Sequence, residues 1–154
     1  MVIARGDVCW ADIPDPKSPG PGFRRPVVVV QGDALNRSKI ATVVCVALTS
    51  NLRWAKAPGN VRLAPRLTEL PKECVANVSQ IVTLDKSLLT EHVGKLPQAK
   101  LKLILSGIDV VLGRYGEPRP SLRSPDAPLR VRYLREPEPR ESVLKSGIIA
   151  RAPT

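Results

Sequence analysis

The sequence predicts a mainly β protein with a C-terminal helix (α+β), and three observations carry that prediction. Sixteen prolines and ten glycines in 154 residues count against a helical bundle, because Pro breaks helices and Gly weakens them. The apolar residues of the first hundred positions gather in short Val-rich runs broken by turn formers, the pattern of strands and not of helices. Near residue 100 the spacing changes to one apolar residue every three or four, which places them on one helical face.

Taken in order, residues 4–13 (ARGDVCWADI) read as a first strand, with imperfect alternation but the right β-formers. Residues 14–24 (PDPKSPGPGFR) hold four prolines and two glycines and read as a loop. Residues 26–31 (PVVVVQ) open a strand on a proline, and the unbroken Val run predicts burial on both faces. Residues 32–39 form a turn or short helical segment, and residues 40–48 (IATVVCVAL) a further buried strand ending at Thr49 and Ser50. Residues 51–58 are a loop, 60–64 a short strand and 74–84 (CVANVSQIVTL) a longer one. A single helical turn over 85–89 leads to a short strand holding Val93 and Leu96. Leu101, Ile104, Leu105, Ile108, Val111 and Leu112 then share one face of a helix, with Gly113 suited to its stop. Several short strands and one amphipathic helix suggest a small SH3-like barrel or other curled sheet, capped by the helix.

Residues 1–114 form the expected domain. Residues 115–154 differ in kind, with seven prolines, eight basic and five acidic residues and little apolar periodicity; they read as a Pro/Arg-rich tail, disordered or loosely docked. The net charge of +10 does not come from the tail alone, because residues 1–114 hold 16 basic and 9 acidic residues. Such an excess favours a polyanionic partner, nucleic acid or an acidic protein. No apolar run approaches the ~20 residues of a membrane span. Arg5 and Asp7 interrupt the N-terminus before a signal-peptide stretch forms. The expectation is a soluble, cytoplasmic protein with no membrane partner.

Much familiar chemistry is missing. Cys9, Cys45 and Cys74 share no metal-ligand spacing and read as small buried thiols. His92, the one histidine, reads as a surface or strand-edge residue. Asp7 and Asp12 share a strand at odd spacing, which sends them to opposite faces and makes them a poor metal pair. No metal and no cofactor is expected. RNA cleavage by transesterification suits such a chain, because the substrate's own 2′-hydroxyl is the nucleophile. The protein has only to align it and stabilise the charged phosphorane. Arginine suits the second task, with a fork that binds two phosphate oxygens and stays charged. Arg25, with Arg24 beside it, stands at the boundary of the Pro-rich loop and the Val strand, and Thr49 and Ser50 occupy a comparable strand end. An ordinary solvated arginine pair and an ordinary strand exit fit those positions too. Arg53, Trp54 and Lys56 interleave basic and aromatic side chains, which suits single-stranded RNA, though Trp54 packed beneath a loop or at an interface fits as well.

The segments RGDVCWADI (5–13), RRPVVVVQGDALNRS (24–38), TVVCVALTSN (42–51), PGNVRL (58–63), CVANVSQIVTLDK (74–86) and LSGIDVVLG (105–113) together resemble the MazF/PemK/Kid family of toxin endoribonucleases. The likeness covers about residues 3–113 in one order. It implies a small, strongly twisted sheet or barrel of the MazF/CcdB type with a C-terminal helix. It also implies a homodimer that cuts single-stranded RNA, including mRNA, at short motifs without a metal ion, leaving a 2′,3′-cyclic phosphate and a 5′-hydroxyl. The family's catalytic arginine falls on Arg25 and its threonine on Thr49. The glutamine of the S-Q-I stretch, associated with RNA contact, falls on Gln80. Arg24, Phe23, Ser50, Arg53 and Lys56 are the further RNA-binding candidates. An antitoxin with an acidic C-terminal segment is the implied protein partner, in a toxin–antitoxin hetero-oligomer. The loop before Arg24 departs from the family pattern, with Gly20 where an acidic residue is usual and Phe23 where a polar one is frequent; Phe23 could stack on a base or pin the loop. Two alternatives on the same fold are a gyrase-directed poison like CcdB and a non-catalytic basic nucleic-acid-binding module.

Overall fold

The computed structural model describes residues 1–14 and 23–114; the expected tail 115–154 and most of the Pro-rich loop lie outside them. Six antiparallel strands, β1 (Asp7–Ile13), β2 (Phe23–Val29), β3 (Thr42–Thr49), β4 (Val61–Leu63), β5 (Cys74–Asp85) and β6 (Leu89–Lys95), form one sheet in the order β4-β5-β3-β2-β1-β6. Three helices accompany them, the single-turn α1 (Asp33–Asn36) and α2 (Pro65–Thr68) and the long α3 (Gln98–Val111). The result is a curled half-barrel with a C-terminal helix, as the sequence predicts.

The Val run is the centre of the sheet. Val27, Val28 and Val29 are wholly buried and Val30 nearly so. Alternation splits them between two cores. Val28 and Val30 pack with Val8, Val46, Leu48 and the α3 residue Ile104. Val27 and Val29 pack with Ile3, Cys9, Ala11, Val43 and Cys45. A strand buried on both faces has no polar face to vary, which is why this stretch reads as a continuous apolar run.

β2 begins at Phe23, three residues earlier than the sequence suggests, and so takes in Arg24 and Arg25. Pro26 is tolerated inside it for a physical reason. β1 pairs with β2 over residues 23–28, but β3 joins only at Val27. At Pro26 the strand still has an open side, where a missing N–H costs no ladder bond. β1 begins later than expected, at Asp7. Gly6 turns the chain with φ +95, and Asp7 Oδ2 accepts from the Ala4 amide at 2.8 Å. Single-turn α2 has no apolar periodicity to announce it. Its Pro65 at the helix start and left-handed Glu69 at the end bracket it.

β5 bends at a wide irregularity. Its Ala76 pairs with Leu48 and its Ile81 with Val46, so residues 77–80 of β5 stand against Ala47 alone. A bulge frees backbone groups from the ladder, and side chains take them up. Asn60 Oδ1 accepts from the Val78 amide at 2.9 Å, while Asn77 Oδ1 accepts from the Ser79 amide at 3.3 Å. The bend curls the sheet. α2, which follows edge strand β4, meets edge strand β6 at Gly94, where a Cβ would come within 2.9 Å of the Thr68 carbonyl.

Helix α3 begins three residues before the expected run, and its packing is uneven. Leu101 and Ile104 are buried and Leu105 and Ile108 half-buried. Val111 and Leu112 were expected to pack on the sheet, but both are exposed; Leu112 lines an open groove with Val30, Val44 and Ile81 of the sheet side. The closest approach is at Gly107, where an added Cβ would fall on the carbonyl oxygen of Gly59. Gly59 itself has φ +86, a left-handed conformation that favours glycine. Gly107→Ala should therefore push α3 off the sheet and cost about 1–3 kcal/mol, read as a lower urea midpoint with unchanged m. An unchanged midpoint would show that the helix is not seated through this contact.

Candidate active site

A cleft of about 460 Å³ opens where the ends of β2 and β3 meet the connection into β5. Its lining includes Trp10, Arg24, Arg25, Pro26, Thr49, Ser50, Asn51, Lys72 and Cys74. Arg25 and Thr49 come from neighbouring strands. Each lies two residues beyond the last β2–β3 pair, Val27 with Ala47, and both line the cleft. Thr49 Oγ1 accepts from the Asn51 amide at 3.1 Å. That bond occupies a lone pair of the hydroxyl and leaves its own hydrogen to donate. Asn51 continues the turn, accepting from the Arg53 amide through Oδ1 at 3.2 Å.

Arg24 is held differently. Its Nη1 donates to Thr90 Oγ1 at 3.0 Å and its Nη2 to Glu91 Oε1 at 2.9 Å, both on β6. Its Cζ lies 4.8 Å from the centroid of the Trp10 ring, in reach of a cation–π contact. Lys72 adds a further cation from the chain entering β5.

Of the sequence candidates, the cleft brings together Arg24, Arg25, Thr49 and Ser50. The others do not line it. Phe23 is exposed at the start of β2 with φ 58. Arg53 and Lys56 are exposed on a 3₁₀ turn (Leu52–Lys56), which Asn60 ties down by donating from Nδ2 to the Trp54 carbonyl at 2.9 Å. Gln80 is half-buried in the β5 bulge. Trp10, Asn51 and Lys72 were missed. Trp10 reads in sequence as one more apolar strand residue, and only its pairing with Pro26 carries it to the cleft; Lys72 has no local signal at all.

The thiols lie buried, as expected. Burial pushes Cys74, on the cleft wall, up to about 11, with the Glu73 charge adding to it. Burial likewise raises Cys9 to about 11, with Asp7 adding, and Cys45 to about 12, with Cys9 adding. Thiols are poor nucleophiles while protonated. His92 lies on edge strand β6, its Nε2 3.4 Å from the buried Asp7 Oδ1, and takes no part in the cleft lining. Among the described residues, no three His, Cys, Asp or Glu side chains cluster as metal ligands would, and no helix is long and apolar enough to cross a membrane.

A model of the PemK-like, MazF-like toxins of type II toxin–antitoxin systems matches residues 4–112. The chain belongs to this family. It is 44% identical over 112 residues to Endoribonuclease MazF6 of Mycobacterium tuberculosis, covering 73% of this chain and 98% of that protein. Endoribonuclease MazF of Staphylococcus saprophyticus is 36% identical over 112 residues, covering 73% of this chain and 92% of the relative. Among solved structures, a mycobacterial endoribonuclease in complex with its cognate antitoxin superposes with a TM-score of 0.60 at 29% identity, covering 75% of this chain and 99% of that one. MazF from Deinococcus radiodurans, 23% identical, shares the fold with a TM-score of 0.62 over 73% of this chain and 98% of its own. The match runs from the start of the half-barrel to the end of its helix, at residue 112.

Native protein at neutral pH should take up almost no iodoacetamide, and all three thiols should react once it is unfolded. Rapid native labelling of Cys74 would mean that the cleft wall opens far more than its burial allows.

Proposed function

We propose that this chain is a sequence-specific, metal-independent endoribonuclease toxin. It cuts single-stranded RNA such as mRNA, blocks translation, and is neutralised by an antitoxin. The observation that carries the reading is the cleft that gathers Arg25 and Thr49 in a chain of this family. The names of the Mycobacterium tuberculosis and Staphylococcus saprophyticus relatives, both endoribonucleases, support the activity.

The proposed chemistry follows from what these side chains can do. The 2′-hydroxyl oxygen of the RNA attacks the adjacent phosphorus and loses its proton. The bond from phosphorus to the 5′-oxygen breaks, and that oxygen takes up a proton. The products are a 2′,3′-cyclic phosphate and a 5′-hydroxyl. Arg25 is assigned to the phosphorane, whose extra negative charge its guanidinium meets as it develops. Thr49 is assigned to a phosphate oxygen, to which its hydroxyl donates. Neither residue has to act as nucleophile. Ser50 and Lys72, on the same wall, add polar and cationic contacts to the RNA backbone.

The basic cleft also suits an antitoxin with an acidic C-terminal segment, which would compete with RNA for one electropositive surface. The complexed mycobacterial relative supports such a partner. A homodimer completes the reading. It is supported by a groove of about 440 Å³ between α3 and the sheet, where Val30, Val44, Ile81, Leu105, Ile108 and Leu112 are flanked by the charged Arg5, Asp109 and Arg114. Exposed Leu112 and half-buried Ile108 give it apolar surface that a second copy would cover.

Purified protein should cut a long single-stranded RNA at discrete sites in excess EDTA. Arg25→Ala should lower the rate by about 10²–10³-fold, the scale of losing one preorganised charge contact. Thr49→Ala should also be strongly impaired, with both variants still folded and dimeric. Cutting that EDTA abolishes, or that survives Arg25→Ala, would refute this mechanism. Leu112→Asp should shift the protein from dimer to monomer in sedimentation; a variant that still dimerises would place the interface elsewhere.

A further inference from the structure

Two arginines stand side by side in β2, and the surroundings of Arg24 suit it to a particular task. The Arg24 guanidinium donates one hydrogen bond each to Thr90 and Glu91, and its Cζ lies over the Trp10 ring. Thr90 Oγ1 also bonds the Trp10 carbonyl at 3.3 Å, so the clamp and the ring beneath it are tied together. Strand pairing builds this arrangement, because Glu91 is the register partner of Trp10. The Arg24 side chain nevertheless stays about half exposed and lines the cleft.

A guanidinium bound in this way is less available to a phosphate than an unengaged one. Its charge is partly balanced by a carboxylate, and two of its five N–H groups are engaged. Its flat face stays available, with the Trp10 indole beside it. Nucleobases of single-stranded RNA stack on arginine planes as they do on aromatic rings. We propose that Arg24 is a stacking shelf for one nucleobase of the RNA, underlaid by Trp10, with Glu91 and Thr90 as positioning residues that hold the plane. This inference rests on the RNA-cutting function proposed above and deepens it. Arg25 then handles the phosphate, and Arg24 reads an adjacent base. Strand alternation agrees with the division. Pro26 pairs with Trp10 and Arg24 with Asp12, placing Arg24 on the Trp10 face, whereas Arg25 pairs with Ala11 on the other. The cleft wraps the strand end and takes in both.

The test uses the full chain as wild type, Arg24→Lys, Arg24→Gln and Glu91→Ala, with folding checked by circular dichroism. Cleavage is measured on RNA oligonucleotides varied base by base around a mapped cut site. Binding is measured on the same series with 2′-deoxyribose, which this route cannot cut, across a range of salt. Arg24→Lys keeps the charge and loses the plane. It should raise KM roughly tenfold with kcat little changed, within what one stacked base contributes, and flatten base preference at one position. Glu91→Ala should act in the same direction, because the shelf loses its clamp. Arg24→Gln should leave the salt dependence of binding unaltered. The opposite results overturn the shelf. These are full retention of base preference in Arg24→Lys, tighter binding in Glu91→Ala as Arg24 is released to a phosphate, or a salt slope reduced by about 0.7 in Arg24→Gln. A wild type that cuts no RNA overturns the activity instead, and the binding series then judges the shelf alone. Base-dependent binding lost in Arg24→Lys would support it, and binding indifferent to Arg24 would overturn it.

Discussion

The burial of β2 on both faces is the constraint from which the rest of the half-barrel follows. Val28 and Val30 belong to the core beneath α3, and Val27 and Val29 to the core on the opposite face. A strand so placed cannot slip by one residue, because a slip would exchange the two sets and misfit both cores. Each of its neighbours, β1 and β3, is thereby fixed in register. The rigidity of the valines is what aims Arg25, two residues before Val27, at a fixed point. Preorganisation of a charge needs an anchored backbone behind it, and here four consecutive apolar residues supply the anchor.

The polar irregularities do the complementary work of ending and bending the sheet. The β5 bulge would leave the Val78 amide unmatched in an apolar setting, a cost of about 1–3 kcal/mol, and Asn60 removes it. The same Asn60 ties down the 3₁₀ turn that follows Thr49 and Ser50. The conformation of the chain leaving the cleft is thus linked to the bend in β5 through one amide side chain. Gly59, its neighbour, allows α3 to approach at Gly107. One short segment, 59–60, therefore joins the helix, the bulge and the exit from the cleft wall.

What was legible in the sequence follows from these roles. The buried strands were readable because their composition is continuous and apolar, and α3 because its spacing is helical. Their ends were less so. Arg24 read as the end of the loop and Arg25 as the boundary, because a proline usually marks a strand start. Only the stagger of β1 and β3 on β2 shows why Pro26 can lie inside one. Val111 and Leu112 keep helical spacing yet stay exposed, and periodicity alone could not tell that the helix end is not seated closely on the sheet. In the cleft, Arg25 and Thr49 were legible through family resemblance, while their mutual position depends on pairing between strands. Trp10 and Lys72 were invisible for the same reason. A residue's membership in a cleft built from four distant segments is a property of register, and register is not local.

Charge distribution at the cleft bears on how one surface could serve two ligands. Three cations line it, but Arg24 is already paired with Glu91. The free attraction for a polyanion is therefore weaker than a count of basic residues suggests. Electrostatic attraction to a phosphate backbone carries no sequence information, and a cleft held by charge alone would treat any RNA, or any acidic peptide, alike. Neutralising one arginine at its edge while presenting its plane removes some of that indifference. An acidic peptide has carboxylates for Arg25 and Lys72 but no nucleobase for a flat cationic face. On the proposed reading, inhibitor and substrate would share the charged part of the surface and differ at the stacked part.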